Sequence, residues 1–153
     1  HAADARSASP AVQRVLAEEG AAGLRSLDVY RGFQQRADAL KDALVEFLIT
    51  QKRAGRSVAA YGAAAKGCTL LNYAGIRPDL LPYVVDAAPS KQGRFLPGSH
   101  IPVLAPQVLA QRRPDLVLIL PWNIADEVVR QQAVVRSWGG HFVVAVPALR
   151  VLD

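Results

Sequence analysis

From Tyr30 onward the apolar residues Tyr30, Phe33, Ala37, Leu40, Leu44, Phe47 and Leu48 recur at steps of three and four. That spacing lays one apolar stripe along a helix. Asp28 stands where its N-cap is expected and Gly55 where it should stop. Such a helix has about 26 residues and is roughly 40 Å long. That is more than a small domain needs, and the excess suits a brace against a neighbouring domain. Upstream, Ser9-Pro10 reads as an N-cap followed by proline at the first helical position. That helix is expected to reach about Glu19 and to stop at Gly20. Residues 1–8 are small and polar and are expected to be a disordered tail.

From Ser57 the pattern changes to short apolar runs alternating with amphipathic stretches. Strands are expected at Ser57–Tyr61, Tyr83–Asp86, Ile101–Leu104, Leu116–Leu120 and Phe142–Val146. Helices are expected at Ala65–Ala74, Pro106–Arg112 and Ile124–Trp138, the last closed by Gly139-Gly140. Unbroken Val/Ile/Leu runs imply strands covered on both faces. Alternating strands and helices imply a parallel, doubly wound sheet. The expected organisation is a tail at 1–8, a helical arm at 9–55 and an α/β domain at 56–153.

The composition agrees with one folded domain. The chain has 153 residues, of which 51% are hydrophobic and only 20% charged, which argues against disorder. No apolar run approaches the roughly 20 residues that span a membrane, and the first ten residues lack a signal-peptide core. A cytoplasmic location is the default expectation. The chain opens on His1 and holds no methionine, so it is expected to be a piece of something longer. The single cysteine, Cys68, excludes an internal disulfide and a zinc cluster.

The net charge of +5 rests on arginines that mostly stand alone. Nucleic-acid binding would need a basic face with interleaved aromatics. The only basic clusters, Lys52-Arg53 and Arg112-Arg113, fall at expected helix ends, where they complement the dipole. A small phosphate-bearing ligand suits the charge better than a nucleic acid or a membrane.

Chemistry concentrates in the loop Tyr61-Gly62-Ala63-Ala64-Ala65-Lys66-Gly67, which leaves a strand and opens a helix. Ligands of such sheets bind beyond the carboxyl ends of the strands. Gly62 permits a tight turn, the small residues let a ligand approach the backbone, and the helix start favours phosphate. Lys66 adds a full charge. The pattern approaches a dinucleotide fingerprint, but Ala64 replaces the second glycine, so NAD is less expected. Asp86 ends the second strand about 20 residues on, where an acid commonly bonds a ribose. Asp86-Ala87-Ala88-Pro89 is also turn-like, so Asp86 equally suits a turn cap.

Three stretches resemble the C-terminal domain of sugar C-methyltransferases. They are Tyr61 to Tyr73, Val85 to Pro102 and Leu120 to Glu127, in that order. Leu16-Ala17-Glu18-Glu19 and Gly23-Leu24 resemble the bridge that precedes that domain, so the likeness covers about residues 9–148. The resemblance implies an α/β Rossmann-like, three-layer domain of about five parallel strands. It implies a SAM-dependent enzyme that methylates a ring carbon of a nucleoside-diphosphate deoxy-keto-sugar. It also implies that SAM, structural zinc and the general base lie upstream, leaving this part to bind the sugar nucleotide and contact the SAM-binding domain, with no catalytic residue.

On that reading Gly62, Ala65, Lys66 and Gly67 lie near the diphosphate. Lys91, Arg94 and His100 come from a second loop, Asp86 lies near the ribose, and Trp122 stacks on a base or sugar. Each has a plainer alternative. Lys91 and Arg94 are ordinary solvated charges, His100 ties its loop to the sheet, and Trp122 is core. Asn123 is expected to N-cap the next helix, with Asp126-Glu127 in its first turn. Asn72 and Tyr73 are expected to cap locally. Cys68, early in a helix, is placed where a thiol pKa falls. The rival functional reading is an NAD-, CoA- or nucleotide-binding regulatory module. A scaffold whose loops only pack is a third.

Overall fold

The computed structural model describes residues 9–152. The expected tail at 1–8 lies outside them. The chain divides after Asp38 into two compact units.

The first unit holds helix α1 (Pro10–Ala21), the single turn α2 (Asp28–Arg31) and the start of α3 (Phe33–Arg53). Proline opens α1 as expected, although the Ser9 side chain makes no capping bond. Gly20 does not stop the helix, which closes one residue later. The long helix expected from Asp28 is broken at Gly32, whose φ and ψ of −86° and 4° leave the helical ladder. Tyr30 Oη donates to Leu24 O at 2.9 Å, and Arg36 Nη2 donates to Val29 O at 3.0 Å. Those bonds fold the 24–36 segment onto itself, which a stripe of apolar residues does not reveal.

The second unit is built on a six-stranded sheet. Its strands are β1 (Val58–Tyr61), β2 (Val84–Val85), β3 (Val103–Leu104), β4 (Leu116–Ile119), β5 (His141–Val144) and β6 (Arg150–Leu152). The order is β3-β2-β1-β4-β5-β6, with the first five parallel and β6 antiparallel to β5. Between the strands lie α4 (Ala65–Tyr73), α5 (Gln107–Arg112) and α6 (Ala125–Gln131). The sixth strand was not expected. Three residues carry too little pattern, and β6 exists because the exposed edge of β5 offers it hydrogen bonds.

Alternate residues of each strand point to opposite faces, and both faces are buried. Val58, Ala60, Leu116, Leu118 and Val143 meet Leu44 and Leu48 of α3 and Leu71 of α4. Ala59, Tyr61, Val117, Ile119 and Phe142 meet Leu109 of α5 and Val128 of α6. The result is three layers, which explains why the strands read as unbroken apolar runs.

The expected helix at 124–138 is three pieces. Residues Trp122–Ile124 form a 3₁₀ turn, α6 follows, and Ala133–Trp138 is again 3₁₀. Positions three apart eclipse in a 3₁₀ helix. Val135 and Trp138 therefore face the sheet together, and Trp138 Nε1 donates to Pro114 O at 3.0 Å.

Candidate functional site

The strand order changes direction between β1 and β4, so their carboxyl ends form the switch point of the sheet. Two glycines, Gly62 in the β1–α4 loop and Gly67 in the first turn of α4, are fixed by packing there. Gly62 has φ +90°, and a Cβ on it would lie 2.5 Å from Pro121 Cδ. A Cβ on Gly67 would lie 2.7 Å from Leu120 Cβ, so α4 sits on the sheet at glycine distance. The backbone ladder of α4 starts where Cys68 N donates to Ala64 O at 3.0 Å. The amides of Ala65, Lys66 and Gly67 precede it and carry the positive end of the helix dipole.

Asp86 ties this loop to the next. Its Oδ2 accepts from Ala63 N at 2.7 Å and from Lys91 Nζ at 3.0 Å, and its Oδ1 accepts from Ala88 N at 2.8 Å. Burial pushes the carboxyl up, but the Ala88 amide, Lys91 and the Ala63 amide outweigh it and hold the pKa below the usual value. Both oxygens serve the chain's own groups, and the turn-capping role of Asp86 is present at Ala88.

The second loop, residues 87–102, is a fastened hairpin. Gly93 N donates to Val103 O, Val103 N to Arg94 O, and Leu96 N to Ile101 O, all within 2.9 Å. Asn72 of α4 donates to Pro97 O at 2.9 Å, and Arg77 donates to Gly98 O. Asn72 thus clamps this loop as well as bonding Cys68 O within its own helix at 2.9 Å. His100 takes φ +57°, and its amide donates to Leu96 O at 3.1 Å. Its side chain lines neither of the two clefts described next.

One cleft, of about 430 Å³, opens between the two loops. Its walls include Ala63, Ala64, Ala65 and Cys68 from the first, and Lys91, Arg94, Phe95 and Leu96 from the second. Arg94 Nε donates to Ser90 O at 2.9 Å, which orients the guanidinium. Among the described residues no ion pair engages Arg94, whereas Lys91 is paired with Asp86. Burial pushes the Cys68 thiol up, against a weaker lowering by its backbone bond and Lys91. The direction is the opposite of the lowering that its place early in the helix suggested, because desolvation outweighs those two contributions.

A second cleft, of about 440 Å³, lies beyond β4 and β5 and is lined by Trp122, Asn123, Asp126, Arg130 and Arg150 among others. Lys66 faces this side. Its ammonium lies 4.7 Å from the centre of the Trp122 ring and donates to Asn123 Oδ1. Asn123 is consequently not the N-cap of α6. Ile124 occupies that position without a side-chain bond.

Of the residues singled out from sequence, the structure brings Ala65, Lys91 and Arg94 around one cleft. Trp122 lines the other, and Lys66 leans on it. Gly62 and Gly67 are packing residues at the switch point, and Asp86 organises both loops. Phe95 was missed. The signal available was the pair Phe95-Leu96 in a turn-rich loop, where alternation allows only one to be buried. Among the described residues no helix is long and apolar enough to cross a membrane, and no three His, Cys, Asp or Glu side chains gather as a metal group.

A family model described as the C-methyltransferase C-terminal domain matches residues 1–147. The C-methyltransferase NovU of Streptomyces niveus is 35% identical over 144 residues, which make up 94% of this chain and 34% of NovU. The chain thus spans about a third of the length of that relative. A solved structure, UDP-D-quinovosamine 4-dehydrogenase from Vibrio fischeri, is 15% identical with a TM-score of 0.46, covering 64% of this chain and 93% of that one. Matched by the family model along nearly its whole length, the chain belongs to the C-methyltransferase C-terminal domain family.

Proposed function

We propose that this chain is the substrate-binding domain of a SAM-dependent C-methyltransferase, and that the cleft between its two loops receives a nucleoside-diphosphate deoxy-keto-sugar. One observation carries the reading. The cleft joins the open amides at the start of α4 to Arg94, a guanidinium with no ion pair among the described residues. Helix-start amides and a planar fork of donors are complementary to a diphosphate.

The domain's task is positioning. Methylation at carbon needs the nucleophilic carbon held in line with the methyl donor, and orientation supplies a large part of such a barrier. The Asp86 bonds, the Asn72 clamp and the hairpin hold both walls of the cleft in place. SAM supplies the methyl group. Zinc finds no set of thiolates with a single cysteine in the chain. Both groups, and the general base, are assigned to the upstream part of the parent protein, which the domain would contact. A cytoplasmic location goes with such substrates.

The test is calorimetry on this chain with thymidine diphosphate, UDP, NAD and CoA. Binding of a nucleoside diphosphate, weakened by Arg94→Ala, is the expected result. Binding of NAD or CoA alone would replace this reading with that of a regulatory module.

A further inference from the structure

Phe95 is 63% exposed, while its neighbour Leu96 is 3% exposed. The hairpin bonds at Gly93, Arg94 and Leu96 fix the backbone on both sides, and Phe95 itself bridges to Pro102. The ring is therefore held outward by a rigid frame rather than by a loose loop. It lines the same cleft as Ala63, Ala64, Ala65, Val103 and Arg94. Singly exposed apolar residues are ordinary on protein surfaces. An exposed aromatic ring on the wall of a largely apolar cleft, beside an arginine without an ion pair among the described residues, is a narrower arrangement. Trp122, the aromatic expected from sequence to stack, lines the other cleft, and the Lys66 ammonium lies over its ring.

We infer that Phe95 is the platform on which the nucleobase of the ligand stacks, with the diphosphate reaching from it to Arg94 and the α4 amides. The inference rests on the reading that this cleft takes a nucleoside diphosphate. A base offers a flat face to any aromatic ring, and stacking tolerates different bases. The cleft volume lies within the range of small-molecule sites. Phe95 would thus distinguish a nucleoside diphosphate from a bare phosphate and would not select sharply between thymine and uracil.

The experiment measures thymidine diphosphate, UDP and inorganic pyrophosphate by calorimetry on the wild-type chain and on Phe95→Ala, Phe95→Tyr and Arg94→Ala. Phe95→Ala should weaken both nucleotides about tenfold or more, leave pyrophosphate affinity unchanged, and melt like the wild type. Phe95→Tyr should retain nucleotide affinity, and Arg94→Ala should weaken all three ligands. Should pyrophosphate bind too weakly to measure, loss in Phe95→Ala with retention in Phe95→Tyr decides for the inference. Nucleotide affinity unchanged in Phe95→Ala overturns the role of Phe95 and leaves the cleft intact. Equal losses for nucleotide and pyrophosphate in Phe95→Ala also overturn it. A wild-type chain that binds neither nucleotide removes the underlying reading and this inference together.

Discussion

The carboxylate of Asp86 accepts a 2.7 Å hydrogen bond from the backbone amide of Ala63, across 23 residues of chain. That bond joins the end of β2 to the loop after β1. With the bonds to Ala88 and Lys91, it makes Asp86 the pin on which both walls of the cleft hang. Asp86→Ala leaves two amides without their acceptor and Lys91 without its partner. It should cost about 2–4 kcal/mol, read as a lowered midpoint in denaturant melts.

The same residue predicts an acid dependence. The amides of Ala88 and Ala63 and the Lys91 ammonium hold its folded-state pKa below the usual carboxylate value, so folding favours the charged form. Its stabilising effect is complete above the pKa of the unfolded chain and is lost as pH falls through the folded pKa. Asp115, held down chiefly by the hydroxyl and amide of Ser57, shares that window. Melts of the wild type and Asp86→Asn from neutral pH into the acid range should therefore converge as pH falls, with a residual slope from Asp115. Parallel curves would show that Asp86 does not titrate with folding.

Three glycine substitutions separate packing from backbone strain. Gly62→Ala meets both a positive φ and Pro121, and should cost about 3 kcal/mol or more. Gly67→Ala meets only the Leu120 side chain and should cost about 1–3 kcal/mol. Gly75→Ala has φ +66° with nothing within 4 Å, and should cost about 1 kcal/mol. Equal losses at all three would mean that the closeness of loop, helix and sheet at the switch point carries no energy.

Lys66 leans toward Trp122 and Asn123, away from the cleft between the loops. Lys66→Ala should therefore weaken thymidine diphosphate binding less than Arg94→Ala does, as measured by calorimetry. The reverse order would place the diphosphate on the Trp122 side of the switch point.

Cys68 provides a reporter inside the cleft. Burial raises its pKa, so a maleimide should label it slowly near neutral pH and faster as pH rises. Saturating thymidine diphosphate should protect it, followed by mass spectrometry of the single thiol. Labelling that ignores the nucleotide would put the ligand elsewhere.

The layered sheet was legible because its cause is local. Runs such as Leu116–Ile119 are apolar on both faces, and turn residues separate them at regular intervals, so strands and helices declare themselves without reference to one another. The turn at Gly62–Gly67 was legible for the same reason: small residues close an apolar run and open an amphipathic one, although pattern alone left its role, ligand site or packing, open. The family resemblance added the second loop, since Lys91 and Arg94 by themselves look like ordinary surface charges.

What stayed hidden depends on distant partners. The break at Gly32 follows from how residues 24–36 bond among themselves, and β6 from an edge that β5 leaves open. Lys66 stands in the loop that suggested phosphate binding, yet its ammonium rests on an indole 56 positions away. Asp86 suited a ribose acceptor and a turn cap equally by sequence, and only the fold shows that Ala63, Ala88 and Lys91 reach its two oxygens. Phe95 faces the cleft because Leu96 takes the inward place in the hairpin. Amino-acid order decides which segments bury apolar surface, because that preference is paid within each turn or strand. Which polar groups remain open to a ligand is decided only when the loops close, because hydrogen bonds and charges are satisfied by whichever neighbours the packing delivers.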